Sequence, residues 1–244
     1  MDSTLSFCIT TYDGDYHLLP RVWESLRLQT RAPDEIIIVS SGLPMGNIQD
    51  GGSIEIAGEI VPIYTANSTK RLAPANARNI AEALAAKDII QFFDADDYLQ
   101  QNHIQITKEI FNAGLCQALL HSYELSTTVV PPSMATPHSF NGKNLQEVGW
   151  SVENRRYSIS QEGGHGVACG PIAILKGLAQ DVKYREWVHE DMDMVRQLVV
   201  DKAANVKHYS FPLMTYFPSN STGRPRVGNL GAAFRESMAQ GRKT

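Results

Sequence analysis

Short β-branched and aromatic runs alternate with stretches of helical periodicity through the first half of this 244-residue chain. That alternation constrains the fold more than any other feature. Residues 5–11 read as a strand, and residues 35–40 as a buried strand rich in β-branched residues. Between them, residues 16–28 place Leu19, Val22, Trp23 and Leu26 at helical spacing, with Pro20 acceptable only in the first turn. A glycine-rich loop spans 41–52, and residues 59–64 read as another strand. A helix over 74–86 puts Ala77, Ile80, Ala81 and Leu84 on one face. A strand over 89–93 and a helix over 102–112 follow. This β-α-β-α-β-α order predicts a mainly parallel sheet with helices on both faces. In such sheets ligands bind beyond the carboxyl ends of the strands. The second half is less regular. Strands are expected at 118–123 and 171–175, a helix at 190–200 and an extended segment at 206–217. Residues 126–170 form a long stretch of the kind that often supplies binding loops or lids.

Composition narrows the class. No apolar run approaches the roughly 20 residues of a membrane span, and residues 1–4 lack the start of a secretory signal. Cys8, Cys116 and Cys169 form no C-x-x-C pair and no disulfide framework, which points to a reducing compartment, the cytoplasm. The net charge of −4 argues against broad nucleic-acid binding. Residues 223–244 are the exception. They carry Arg224, Arg226, Arg235, Arg242 and Lys243 against Glu236 alone, a basic tail or helix suited to an anionic membrane surface or partner. The residues divide as 1–222, with halves at about 1–115 and 116–222, followed by this tail.

Asp94-Ala95-Asp96-Asp97 follows directly on the apolar run 89–93. Three carboxylates in four residues repel one another unless exposed, protonated or holding a cation. Hard oxygen ligands suit Mg²⁺ or Mn²⁺. An acidic turn capping the next helix is the plain alternative. A second cluster, Glu190-Asp191 with Asp193, opens the helix at 190–200. Residues i and i+2 diverge on a helix, so Glu190 or Asp191 faces a site while Asp193 is solvated. Carboxylates answering the helix dipole are the alternative here. The chain has no Walker A, H-E-x-x-H or G-x-S-x-G motif.

Taken in order, Phe7-Cys8-Ile9-Thr10-Thr11-Tyr12, Glu35-Ile36-Ile37-Ile38-Val39, Ala77-Arg78-Asn79, Phe93-Asp94-Ala95-Asp96-Asp97 and Glu190-Asp191 resemble the family-2 glycosyltransferases of GT-A fold. The resemblance covers roughly residues 4–220. It implies a single Rossmann-like α/β domain and transfer of a sugar from a nucleotide-sugar donor to a glycan or lipid-linked acceptor hydroxyl, with inversion. It further implies donor contacts from Thr10, Thr11, Tyr12, Ser40, Ser41, Arg71, Arg78, Asn79, Asp94, Asp96 and Asp97. Asp94 and Asp96 match the metal motif, for Mn²⁺ or Mg²⁺. Asp191 matches the base, with Glu190 its neighbour. His165 and Trp187 are weaker acceptor-side candidates. Where such enzymes usually have an aspartate-rich turn after the second strand, this chain has Ser40-Ser41-Gly42. A serine offers a base hydrogen bonds without charge, which speaks against UDP and leaves GDP, TDP and CDP open. The loop after Tyr216 has no histidine, which leaves Arg224 or Arg226 to close over a donor. The processive Q-x-x-R-W signature is absent. Competing readings are a non-catalytic sugar-nucleotide-binding protein of the same fold and a D-x-D phosphatase. The phosphatase class carries its motif on the first strand, whereas three strands precede Asp94 here.

Overall fold

A computed structural model describes residues 2–13, 15–42, 51–125, 143–144, 166–185 and 190–216. The expected first half is present. β1 (Leu5–Tyr12), α1 (Leu19–Arg27), β2 (Glu35–Ser41), β3 (Gly52–Ile56), β4 (Glu59–Ser68), α2 (Pro74–Leu84), β5 (Ile89–Asp94), β6 (Tyr98–Leu99) and α3 (His103–Asn112) follow in order. A 3₁₀ turn, Tyr16–Leu18, leads into α1, which lets Pro20 sit in the first turn where its missing N–H costs nothing. The second half contributes β7 (Ala118–Leu125), β8 (Lys143–Asn144), β9 (Gly166–Leu175), α4 (Lys176–Ala179), α5 (Glu190–Arg196) and β10 (Val206–Tyr216). The expected helix at 190–200 is α only as far as Arg196 and continues as a wider π turn over Gln197–Asp201.

All ten strands join one sheet in the order β3-β4-β2-β1-β5-β9-β7-β10-β6, with β8 on β10. The sheet has the expected parallel centre and is mixed rather than purely parallel, with antiparallel strands on both sides of that centre. β4, β2, β1 and β5 pair in parallel, as helical crossovers require. β9 then enters antiparallel between β5 and β7, and β10 returns parallel to β7. β3 had no counterpart in the sequence reading. It forms an antiparallel hairpin with β4 through Ala57 and Gly58, both at positive φ (51° and 80°), the backbone that two-residue hairpins use.

Side chains alternate between two apolar clusters on opposite faces of the sheet. Leu5, Phe7, Ile9, Ile36, Ile38 and Phe93 pack with α1 and α3. Cys8, Ile37, Val39, Ile90 and Phe92 pack with α2, α4 and α5. This two-sided burial explains the continuous apolar runs. Cys8 and Cys116 are free and buried.

His103 and His121 are fully buried, with ring centroids 4.9 Å apart. Each Nδ1–H donates to a backbone carbonyl, of Leu213 and Ser122 respectively, at 2.8 Å. Burial pushes both down, His103 to about 3, with the neighbouring His121 adding to the shift, and His121 to about 4. The unfolded chain titrates near the ordinary 6.5, so below that value unfolding takes up protons. Stability should therefore be full above pH 6.5 and fall from there towards pH 4, by up to about 1.4 kcal/mol per pH unit for each histidine. Urea unfolding at pH 7, 6, 5 and 4.5 measures this, and His121→Asn should flatten the slope. A pH-independent unfolding free energy would refute it.

Candidate functional site

The parallel strands β1, β2 and β5 end at the same edge of the sheet, and their last residues stand side by side. Thr10 is in register with Asp94, and Tyr12 with Ser41. Beyond them opens a cleft. Thr10, Thr11, Tyr12, Ser41, Arg71, Asp94 and Asp96, all inferred donor contacts, line it. Asp15, Leu72, Pro74 and Ala77 line it too, none of them among the donor contacts that the resemblance implies. The Arg71 guanidinium lies 4.5 Å from the centroid of the Tyr12 ring, a cation–π contact across the mouth. Ser40 pairs within the sheet, is 2 % exposed, and is not among the lining residues.

At the end of β2, the turn Ser40-Ser41-Gly42 carries no carboxylate of its own. Two reach this corner from the loop after β1. Asp15 lines the cleft although only 4 % exposed. Asp13 donates its N–H to the Ser41 carbonyl (3.0 Å). Its carboxylate lies so close to Gly42 that a Cβ there would fall 3.0 Å from Asp13 Cγ. Gly42, at φ +98°, meets both the positive φ and the close approach.

At the other end, Asp94, Asp96 and Asp97 each offer an oxygen within 4.8 Å of the others. Asp96 and Asp97 are 6 % and 3 % exposed. An all-carboxylate oxygen set of this size fits a hard divalent cation such as Mg²⁺ or Mn²⁺. Asp94 already has company. It accepts from Thr10 Oγ1 at 3.0 Å and from Arg78 Nη2 at 3.0 Å to both oxygens.

Arg78, from α2, is the hub. Its side chain is 5 % exposed, and its second terminal nitrogen, Nη1, donates to Glu190 Oε1 at 2.8 Å. Tyr184 lies under the guanidinium, 5.3 Å to the ring centroid. Burial pulls the Arg78 pKa down, but Asp94, Tyr184, Glu190 and Asp191 more than reverse that, so it stays raised and charged. Burial also raises the Tyr184 phenol despite the opposing pull of Arg78. Asn79 does not reach the cleft. Its amide donates to the Tyr184 carbonyl at 2.7 Å and accepts from the Tyr184 N–H at 3.0 Å.

Glu190 and Asp191 open α5. Glu190 is held by Arg78, while the Asp191 carboxylate accepts from the Met192 N–H at 2.8 Å. Asp193 is not simply solvated, as the sequence reading had it. It accepts from Arg196 (3.3 Å) and Gln197 (2.9 Å) and lies 3.7 Å from Arg185. His165, Trp187, Arg224, Arg226 and the tail 223–244 lie outside the described residues. No helix among the described residues is long and apolar enough to cross a membrane.

Comparisons with known proteins now bear on this geometry. The family profile described as Glycosyl transferase family 2 matches residues 6–175. Among solved structures, S. aureus TarS 1–349 in complex with UDP superposes with a TM-score of 0.62 at 14 % identity, covering 88 % of this chain and 60 % of that one. The same protein in complex with UDP-GlcNAc gives 0.58 at 15 % identity, covering 88 % and 58 %. The longer S. aureus TarS structure gives 0.56 at 16 % identity, covering 89 % and 37 %. At these identities the likeness is one of fold, and the chain spans about 60 % of the length of TarS 1–349. No curated protein sequence matches the chain.

Removing Arg78 strands Asp94 and Glu190 without their shared counter-charge. Arg78→Ala should lower the unfolding free energy by about 3 kcal/mol, the usual cost of breaking a buried pair from one side. Denaturant unfolding at pH 7 checks this, and a loss below about 1 kcal/mol, the worth of a surface pair, would show the bridge to be incidental.

Proposed function

The chain belongs to glycosyltransferase family 2, and from that membership we propose that it transfers a sugar from a nucleotide-sugar donor to an acceptor hydroxyl with inversion at C1. The observation carrying this reading is the meeting of two acidic groups from distant segments: Asp94 and Asp96 at the cleft, and the start of α5 tied to them through Arg78. Thr11, Tyr12 and Ser41 offer the nucleoside its wall, with the Asp15 carboxylate in the same lining and the Asp13 carboxylate beside Gly42 at its rim. A base with an imide N–H, such as uracil, is suited to such acceptors. Arg71 is poised over Tyr12 to meet the diphosphate.

When bound, a Mg²⁺ or Mn²⁺ ion on Asp94, Asp96 and Asp97 supplies positive charge for the departing diphosphate. Asp191 takes the proton from the acceptor hydroxyl. As that oxygen forms its bond to C1, the bond from C1 to the β-phosphate oxygen breaks on the opposite face. The nucleoside diphosphate leaves with the electron pair. The acceptor is a glycan or lipid-linked hydroxyl.

The test is nucleotide release from a panel of sugar nucleotides with Mn²⁺, with and without acceptor extracts. UDP-sugars come first, since the TarS structures hold UDP and UDP-GlcNAc. Acceptor-stimulated release from one donor class is expected. Indifference to every donor, or hydrolysis of simple phosphate esters instead, would defeat the proposal. Asp191→Asn should keep donor binding and lower kcat by roughly 10²–10⁴-fold, the worth of a general base; full activity would move the base to another group. Asp96→Asn should abolish Mn²⁺-dependent binding of the donor in calorimetry, and unchanged affinity would remove Asp96 from the metal set.

A further inference from the structure

Three side chains on one stretch of α2 grip three successive points of the segment that leads into α5. Glu82 pairs with Lys183. Asn79 binds the backbone of Tyr184 in both directions. Arg78 binds Glu190. Their order follows the chain. α2 begins at the cleft, where Pro74 and Ala77 line the wall, and runs away from it. The grips at Glu82, Asn79 and Arg78 therefore move towards the cleft as the chain passes from Lys183 to Glu190.

The functional groups of Arg78 and Asn79 are committed to this task. Both terminal nitrogens of Arg78 are engaged with carboxylates inside the protein. Both polar atoms of the Asn79 amide are engaged with the backbone of one residue, Tyr184. Neither residue is among those lining the cleft. The family resemblance makes them donor contacts, and the geometry gives them different work.

We propose that Arg78 and Asn79 are positioning residues that dock the second half of the chain onto the first. Arg78 fixes the start of α5, and with it Asp191, at one distance from the Asp94 carboxylate that ends β5. Donor and acceptor machinery are built from segments about a hundred residues apart, and this face of α2 sets their spacing. The meaning of Asp191 in this inference rests on the glycosyltransferase reading; the tie itself does not.

Four proteins test it: wild type, Arg78→Lys, Glu190→Gln and the double variant. Lysine and glutamine keep length and polarity while weakening the two-armed bridge. Calorimetry with UDP and Mn²⁺ reads nucleotide affinity. Initial rates with the donor that wild type uses fastest read kcat and KM, and denaturant unfolding reads stability. UDP affinity and donor KM should stay within about twofold, while kcat falls roughly 10–100-fold, as misplacement of reacting groups does. The double variant should lose no more kcat than the worse single one, because both changes cut the same tie. Loss of UDP affinity in step with kcat/KM would make Arg78 a donor ligand, and multiplying kcat losses would make the two residues independent; either result overturns the proposal. Should wild type turn over no donor, the reading of Asp191 fails and unfolding alone judges the tie. Non-additive stability losses would uphold it, and additive losses would remove it.

Discussion

One buried guanidinium holds the arrangement together. Arg78 sits in the protein interior with a carboxylate on each side, and the desolvation of a charge there is tolerable only because both arms are answered. The same contacts solve the problem posed by the sequence. Asp94, Asp96 and Asp97 crowd one strand end, and Glu190 and Asp191 come to the same place. Without a fixed positive charge the ends of β5 and α5 would repel each other. With it, they are drawn to one side of the sheet. Geometry and charge balance are thus one fact, and the cleft inherits its shape from both.

The mixed sheet is part of the same solution. A fully parallel design would bring each later strand to the cleft edge directly. β9 instead runs antiparallel to β5 and delivers the chain to the wrong end, with Leu175 in register with Ile89. The following residues must travel back along the sheet to bring acidic groups near Asp94. Lys183, Tyr184 and Glu190 are held along α2, whose Glu82 stands three residues from Asn79 and four from Arg78, the spacing that keeps one helical face continuous. A helix face of alanines alone would bury the segment without fixing where it stops. Hydrogen bonds to the Tyr184 backbone and to the Glu190 carboxylate do fix it, because they are directional.

What was legible in the sequence follows from range. Two-sided burial writes itself into apolar runs, so β1, β2 and β5 were readable, and α2 was readable from its alanine-rich period. Their carboxyl ends supplied most of the cleft by the general rule for such sheets. β3 was missed because its hairpin turns on Ala57-Gly58, and alanine at positive φ is no turn signal. The antiparallel entry of β9 was invisible because strand direction depends on partners tens of residues away. Asn79 and Glu190 looked like site residues because their segments belong to the site. Their partners lie 105 and 112 positions off, a distance at which local pattern carries no information.

The corner after β1 and β2 shows the same limit from the other direction. Judged along the chain, Ser40-Ser41-Gly42 lacks a carboxylate, and this corner looks uncharged. In space the deficit disappears, because Asp13 and Asp15 arrive from the loop after the neighbouring strand. Parallel strands in register make this exchange cheap: Tyr12 and Ser41 are adjacent rungs, so the loops that follow them share one corner. A residue type absent from one loop can then be supplied by the next without altering the sheet. Gly42 is the complement of that arrangement, since a side chain there would occupy the space that the Asp13 carboxylate now fills. The chemistry of a strand-end site belongs to the corner, and motifs tied to a single loop describe only one way of building it.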